Sequence, residues 1–398
     1  MFGLFKRSAH THPTDTYELL KSIGLGTPTT SGKLVNSEVA QTLPAVYCAV
    51  ATIAEAIAAL PIHTYRKDGD ERMRQTQHHA ERLLNVAPND YQTPYDFKLA
   101  LLRAVLLRGN GYAKITFDGT GKPNGLHLIH PDSIIVEQLA SGRIGYRMTD
   151  KQGKFHNLLQ EEVLHIRYHS DDGIFGKSPV SVCRDSIGLG LAQSEFGAGQ
   201  FKNGVSPTGV IEFDKFLNDK QRENVKQSLK DQYTGSSNAG KTLVLEGGSN
   251  WKPIGLSNQD AEWLKSRLFT VSDIARMFKL SPIFLQDYSN STYSNFGEAS
   301  RAFLSQSLRP WLTNLQQAFS SRLISDRNRS QYTIEFETKD LLRATAEERF
   351  KNYETAISIG MMSPNECRRA ENLPSYVGGD EMSQSWKQQS EQGNDTDS

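Results

Sequence analysis

The sequence predicts an α+β fold built from more than one compact part, on three observations. Short β-like runs crowd residues 112–168 between Gly, Pro and Asp turns. Two long helix-periodic stretches bracket a small mixed segment at 206–257, and the C-terminal region returns to helix. Strands joined by tight turns make meanders, whereas a doubly wound fold alternates strands with helices. A chain of 398 residues has room for two to three domains at roughly 150 residues each.

The first 40 residues are rich in Ser, Thr, Gly and Lys without a sustained period and are expected to be flexible. Met1-Phe-Gly-Leu-Phe-Lys-Arg7 places its charge after the apolar residues and has no apolar core of signal-peptide length. A helix follows between Pro44 and Pro61. Its apolar run Ala45–Leu60 is short for a bilayer, alanine-rich and interrupted by Glu55, which predicts a buried helix with no membrane role. Next come a strand at Ile62–Arg66, a charged turn at Lys67–Glu71 and a helix around Tyr95–Leu107. Strands are then expected at Tyr112–Phe117, Gly125–Ile129, Ser133–Val136, Ile144–Met148 and Val163–Tyr168.

After Gly176-Lys-Ser-Pro179 the pattern becomes helical over Val180–Lys202, although Gly188, Gly190, Gly197 and Gly199 each cost about 1 kcal/mol against alanine in a helix. Close packing against neighbouring helices would offset that cost; two shorter helices with a loop are the alternative. The excursion that follows reads as β at Thr208–Phe213, a charged helix at Asn218–Tyr233 with a narrow stripe of Val225, Leu229 and Tyr233, and β at Thr242–Glu246 and Trp251–Leu256. So narrow a stripe predicts a solvated or partner-facing helix. The chain returns through an amphipathic helix, Asp260–Lys279, with Leu264, Leu268, Val271, Ala275 and Phe278 on one face.

Ser281–Gly297 carries aromatic and polar residues without a period, which predicts a long functional or mobile loop. A long helix is expected over Glu298–Ile324, kinked by Pro310, then a strand at Tyr332–Phe336. Two capping boxes, Thr345 with Glu348 and Ser363 with Glu366, announce a C-terminal helical hairpin closed by Leu373-Pro374. Ser383–Ser398 reads as a flexible polar tail.

Basic and acidic residues balance at 45 each, so any nucleic-acid contact is made by a local patch and not by net charge. Cys48, Cys183 and Cys367 are singletons; that excludes a disulfide scaffold and a thiolate zinc site. Gly235-Ser-Ser-Asn-Ala-Gly240-Lys241-Thr242 matches the phosphate-loop pattern letter for letter. A phosphate loop, however, follows a strand and opens a helix, and here the predicted order is reversed. His165 and His169 have ligand-like spacing for a helix, but in a strand four residues span roughly 13 Å, so no metal site is expected. No nucleophile elbow accompanies a Ser/His/Asp set. No cofactor and no enzymatic activity is therefore expected. Candidate phosphate-contacting or docking residues are Lys220, Arg222, Lys226 and Lys230 on the excursion helix, Lys241 after it, and Lys265 and Arg267 on the return helix. Acidic residues interleave with the first group, which also fits a solvated, salt-bridged face.

Many weak motifs occur in one order: Ala45-Val-Tyr-Cys-Ala49 with Ile53-Ala-Glu-Ala-Ile57 and Leu60-Pro61, Arg108-Gly-Asn-Gly-Tyr-Ala113, Leu164-His165-Ile166 before Gly176-Lys-Ser-Pro179, and Phe201-Lys-Asn-Gly204 with Pro207-Thr-Gly-Val-Ile211. Asp273-Ile-Ala-Arg276 with Pro282, Thr292-Tyr-Ser-Asn295, Leu308-Arg-Pro310 and Ser363-Pro-Asn-Glu366 with Arg368 complete the series. Over residues 35–378 this order resembles the HK97-type portal proteins of tailed phages. The resemblance implies a homo-oligomeric ring, usually a dodecamer, at one capsid vertex of the virion, assembled in the host cytoplasm. It serves as conduit for DNA packaging and ejection.

Composition leaves 1–40 as a flexible N-terminal region and 379–398 as a disordered tail, and the resemblance maps 41–179 and 298–344 to a wing, 180–205 and 258–280 to two stem helices, 206–257 to a clip, 281–297 to a tunnel loop and 345–378 to a crown. It implies as partners the terminase large subunit, a head–tail adaptor or neck protein, major capsid and scaffold proteins, and double-stranded DNA touched without sequence readout. Tyr288, Ser289, Asn290, Ser291, Thr292, Tyr293 and Asn295 would then be DNA-proximal, the basic residues above would line channel or clip, and the four glycines would permit close packing in the ring. A nucleotide-binding enzyme using Gly235–Thr242 and a non-portal DNA-binding scaffold are the alternatives.

Overall fold

The structure is a computed structural model that describes residues 27–69, 71–203, 209–213, 216, 218–233, 249–253, 258–289, 293–338, 346–371 and 373–383. It divides into two compact units, one of Met1–Ala59 with Thr64–Ile334, the other of Leu60–His63 with Glu335–Ser398.

The first unit begins with a small hairpin, β1 (Thr27–Pro28) and β2 (Leu34–Val35), and the short helix α1 (Ser37–Ala40), whose first amides are capped by the Asn36 carboxamide oxygen at 2.7 Å from Val39 N. The expectation of a flexible first forty residues thus fails from Thr27 on. Helix α2 (Pro44–Ala58) starts with proline at its first turn, where no amide hydrogen is needed. It buries Val46, Ala49, Val50, Ile53, Ala54 and Ile57, an i, i+3, i+4, i+7 face that packs on α4 (Pro94–Arg108). Strands β3 (Ile62–Asp68) and β4 (Glu71–Arg74) form a sheet with β13 (Tyr332–Phe336) in the order β13-β3-β4, and helix α3 (His79–Asn85) follows.

The predicted meander is present as two antiparallel sheets. One has the order β10-β5-β6, from β5 (Asn110–Phe117), β6 (Pro123–Ile129) and β10 (Val163–Arg167); the other is β7 (Ile134–Gln138), β8 (Ile144–Thr149) and β9 (Phe155–Leu158). Tyr112, Ile129, Ile134, Val136, Tyr146, Leu158 and Val163 form a shared core between them. β9, β4 and α3 lie where no element is legible in the sequence, because each is only four to seven residues long.

The glycine-bearing helix is split, but at Cys183, ahead of all four glycines: α5 (Pro179–Val182) precedes the continuous α6 (Arg184–Asn203). In the excursion β11 (Gly209–Phe213) pairs antiparallel with β12 (Ser249–Pro253), with Ile211 opposite Trp251. Between them α7 (Asp219–Tyr233) is opened by a reciprocal box of Asn218 and Gln221. The predicted strand Thr242–Glu246 and the phosphate-loop match lie outside the described residues.

Helix α8 (Asn258–Met277) returns alongside α6. The expected loop Ser281–Gly297 is shorter than predicted: Pro282–Leu285 is a 3-10 turn, and helix α9 (Tyr293–Ala302) begins five residues before Glu298. From Phe303 to Leu308 the helix widens to a π-turn before α10 (Arg309–Leu323). Pro310 has no amide hydrogen, so the carbonyl four residues back loses its α-helical donor. The widened turn absorbs this, with Arg309 N–H bonding the Leu304 carbonyl.

In the second unit Glu337 N donates to the Pro61 carbonyl at 2.9 Å. Its helices are α11 (Ala346–Ser358) and α12 (Pro364–Ala370), the latter opened by the predicted Ser363–Glu366 capping box. Thr345 of the other predicted box lies outside the described residues. Gly379 and Asp380, assigned by sequence to a disordered tail, are part of this hairpin, since the Gly379 carbonyl accepts from Asn365 N at 2.8 Å.

Candidate functional site

Three motifs that are far apart in sequence meet where the β10-β5-β6 sheet hands over to α5 and α6. Helix α4 ends at Gly109, whose φ of 79° favours glycine, and β5 starts at the next residue. The Asn110 side chain reads the backbone of Gly176 on both sides: its Nδ2 donates to the Gly176 carbonyl at 2.9 Å, and its Oδ1 accepts from Gly176 N at 2.8 Å. Gly109 and Gly176 are in backbone contact; a Cβ on either would fall onto main-chain atoms of the other segment. Ser178 then donates to the Leu107 carbonyl at 2.6 Å while capping α5.

His165 stands behind this contact on β10, 7% exposed. Its Nε2 is 3.0 Å from Asn110 Oδ1, and its Nδ1 is 3.2 Å from the Tyr146 hydroxyl. Because an amide oxygen only accepts, Nε2 carries the proton and Nδ1 accepts from the tyrosine. The ring is neutral: burial, with help from the Arg167 and Arg322 charges, lowers its pKa to about 2. Both nitrogens are occupied, so the spacing to His169 has no metal-binding meaning here. Among the described residues no group of three or more His, Cys, Asp or Glu is placed to hold a metal ion. In the sequence His165 stood out only for its spacing to His169 and Asn110 only as part of its motif, while nothing singled out Tyr146. The signal for Asn110, His165 and Gly176 was the co-occurrence of the three motifs that hold them.

Helices α6 and α8 meet through a polar, small-residue seam. Gln193 bonds Ser266 and Thr270, the latter at 2.9 Å, and a Cβ on Gly190 would meet the Thr270 methyl at 2.8 Å. Gly188 is equally tight against Thr29 of the N-terminal hairpin. These two glycines thus serve contacts within the subunit; Gly197 is buried, and Gly199 has open space around it. Large apolar side chains lie outside the seam. Val182, Leu189 and Phe196, seven residues apart, and Leu268 and Phe269 on α8 are all about half exposed or more. Of the predicted α8 stripe, Leu268 is exposed, Val271 is half-buried, and Ala275 and Phe278 at the C-terminal end are buried; the Leu264 side chain lies outside the described residues.

The segment after α8 is pinned at its base. Lys279 turns the chain with a φ of 56°, and its carbonyl accepts from Ser307 of the π-turn. The Phe284 carbonyl accepts from Thr52 of α2 at 3.2 Å, while the Phe284 ring stacks on Phe303 at 4.5 Å. Tyr288 and Ser289 are exposed beyond this base, with Ser289 tied to Asp287. Asn290, Ser291 and Thr292 lie outside the described residues; Tyr293 and Asn295 fall in the first turn of α9. Lys220, Arg222 and Arg267 are exposed, Lys226 and Lys230 lie on α7 and Lys265 on α8, and Lys241 lies outside the described residues.

The phage portal protein family model matches residues 44–372. The chain belongs to the phage portal protein family. It is 29% identical to the probable portal protein of Streptomyces phage phiC31 over 88% of this chain and 78% of that one, and 26% identical to the portal protein of Enterobacteria phage HK97 over 87% and 82%. Among solved structures, the neck of a native gene transfer agent particle computed with C12 symmetry matches with a TM-score of 0.61 and 26% identity, covering 92% of this chain and 95% of that one. An HK97-family portal from Corynebacterium diphtheriae, 15% identical with a TM-score of 0.51 over 76% and 95%, shares the fold. The junction motifs, the α6–α8 pair and the pinned loop all lie within the portal match.

His165 predicts a pH dependence. Its folded pKa lies near 2 against 6.5 for the free side chain, so its neutral form stabilises the fold fully above pH 6.5, and that contribution falls as the pH drops below 6.5. The loss is up to about 1.4 kcal/mol per pH unit. Urea unfolding of His165→Gln between pH 8 and pH 5 is expected to show lower stability at pH 8 and a shallower acid decline than the wild type; parallel declines would place the titration elsewhere.

Proposed function

We propose that this portal protein forms a ring of twelve copies at one capsid vertex, serving as the conduit for genome packaging and ejection and as the platform for terminase and neck proteins. The observation that carries this reading is the likeness, at 26% identity over more than nine-tenths of the chain, to a particle neck computed with C12 symmetry. In it residues 180–205 and 258–280 are the stem, 206–257 the clip, 281–297 the tunnel loop, 41–179 and 298–344 the wing, and 345–378 the crown. The ring acts mechanically and carries no active site of its own. A nucleotide site at Gly235–Thr242 is disfavoured because a helix, α7, leads into it where a phosphate loop needs a strand.

Ring contacts fall on the exposed apolar side chains beside the α6–α8 seam, Val182, Leu189, Phe196 and Phe269, since Gly188 and Gly190 are used inside the subunit. Exposed Tyr288 and Ser289, with the residues that follow to Asn295, meet passing DNA through its backbone; near-zero net charge keeps that contact weak enough to slide. Electron microscopy with native mass measurement is expected to show twelve-copy rings with an axial hole, and a monomer or dimer at all concentrations would refute the ring. Deletion of Ser289–Asn295 is expected to leave rings intact and impair packaging or DNA retention. Unchanged packaging and retention would remove the loop from the DNA path.

A further inference from the structure

The C-terminal hairpin, residues 346–383, is polar inside and apolar outside. Arg349 grips both oxygens of Glu371, at 2.9 and 3.2 Å, and the Tyr353 hydroxyl donates to the same carboxylate at 3.1 Å. Asn365, with 0% exposure, donates to the Tyr376 carbonyl at 2.9 Å and accepts from Tyr376 N at 3.0 Å. Cys367 is the single apolar side chain of this segment that is buried among the described residues. Phe350, Ile359, Met361, Leu373, Val377 and Met382 are instead 47% to 102% exposed.

Five of these side chains, all but Val377, fall into two groups by their place in the hairpin. A Cβ on Gly360 would meet the Ser383 carbonyl, so the chain at Met382 and Ser383 runs next to the helix turn that carries Ile359 and Met361. At the other end Phe350 follows Arg349, and Leu373 lies two residues past Glu371, the partner of Arg349. A segment of fewer than about 40 residues without an apolar core needs a disulfide, a metal or association to hold its fold. All three cysteines are free, and no metal-binding group is present among the described residues. Among the described residues, association is the route that remains.

We propose that the hairpin is completed by the same hairpin of the neighbouring copy, the Ile359, Met361 and Met382 group of one meeting the Phe350 and Leu373 group of the next. This rests on the ring reading above. A closed ring repeats a head-to-tail contact between two different patches, and one hairpin carrying two separate apolar groups supplies both. The hairpin is thus a second assembly contact, independent of α6 and α8.

Hydrogen–deuterium exchange on the full chain tests this, comparing assembled rings with dissociated subunits. Amides of residues 350–370 are expected to exchange at least tenfold more slowly in the ring. Met361→Glu and Leu373→Glu are each expected to abolish that difference while protection of α2 and α4 stays as in the wild type, which shows that each variant has folded. If the wild type forms no rings, the ring reading and this proposal both fall. If rings form but the hairpin exchanges equally in both states, or both variants retain wild-type ring protection, the hairpin contact alone is overturned. Slow exchange already present in the free subunit would mean that the chain covers its own hairpin, and overturns it as well.

Discussion

The Asn110 carboxamide, bonded to both backbone groups of Gly176, is the contact on which the rest of the first unit depends. It ties the start of β5 to the chain entering α5 and α6, and so fixes where the long helix leaves the sheet. Only glycine at 109 and 176 lets the two backbones come this close, and a neutral His165 completes the acceptor and donor set from behind. Each buried polar atom named here has its partner, which is the condition under which such a network fixes one arrangement instead of weakening the core.

From that junction outward, interactions divide by type. Apolar packing holds α2 on α4 and α4 on the β10-β5-β6 sheet, whereas α6 and α8 are joined by Gln193, Ser266 and Thr270 across a glycine-lined seam. Hydrogen bonds orient such a seam with little apolar area, leaving Leu189, Phe196 and Phe269 for other contacts. The C-terminal hairpin repeats this arrangement on a smaller scale. In both places the isolated subunit has its polar groups matched and its apolar groups exposed, as expected of a chain finished by assembly.

Much of the fold was legible in the sequence. Helix α2 announces itself by Pro44 and its apolar face, the strands by their turns, and α6 and α8 by length, because long periodic segments average over local noise. The π-turn at Phe303–Leu308 was not legible, since Pro310 signals a disturbance without saying whether the helix will bend or widen. The early start of α9 was hidden because Tyr293-Ser-Asn-Phe-Gly297 has turn-like composition, with weak helix formers and a glycine. The glycine-rich helix was predicted for the right reason, close approach, but at Gly188 and Gly190 the approach is to Thr29 and Thr270 of the same chain. Asn110 and His165 could not be paired from sequence, since 55 residues separate them.

If the Asn110–Gly176 contact sets the direction of α6, and that direction sets the ring, then a single methyl group at Gly176 separates folding from assembly. Native mass spectrometry of Gly176→Ala beside Gly199→Ala measures this, because Gly199 has no atom within 4 Å of an added Cβ. Gly199→Ala is expected to form rings of wild-type mass, and Gly176→Ala to keep its helical and sheet content while losing most of its ring population. Gly176→Ala rings equal in mass and yield to the wild type would contradict the junction's role in aiming the helix.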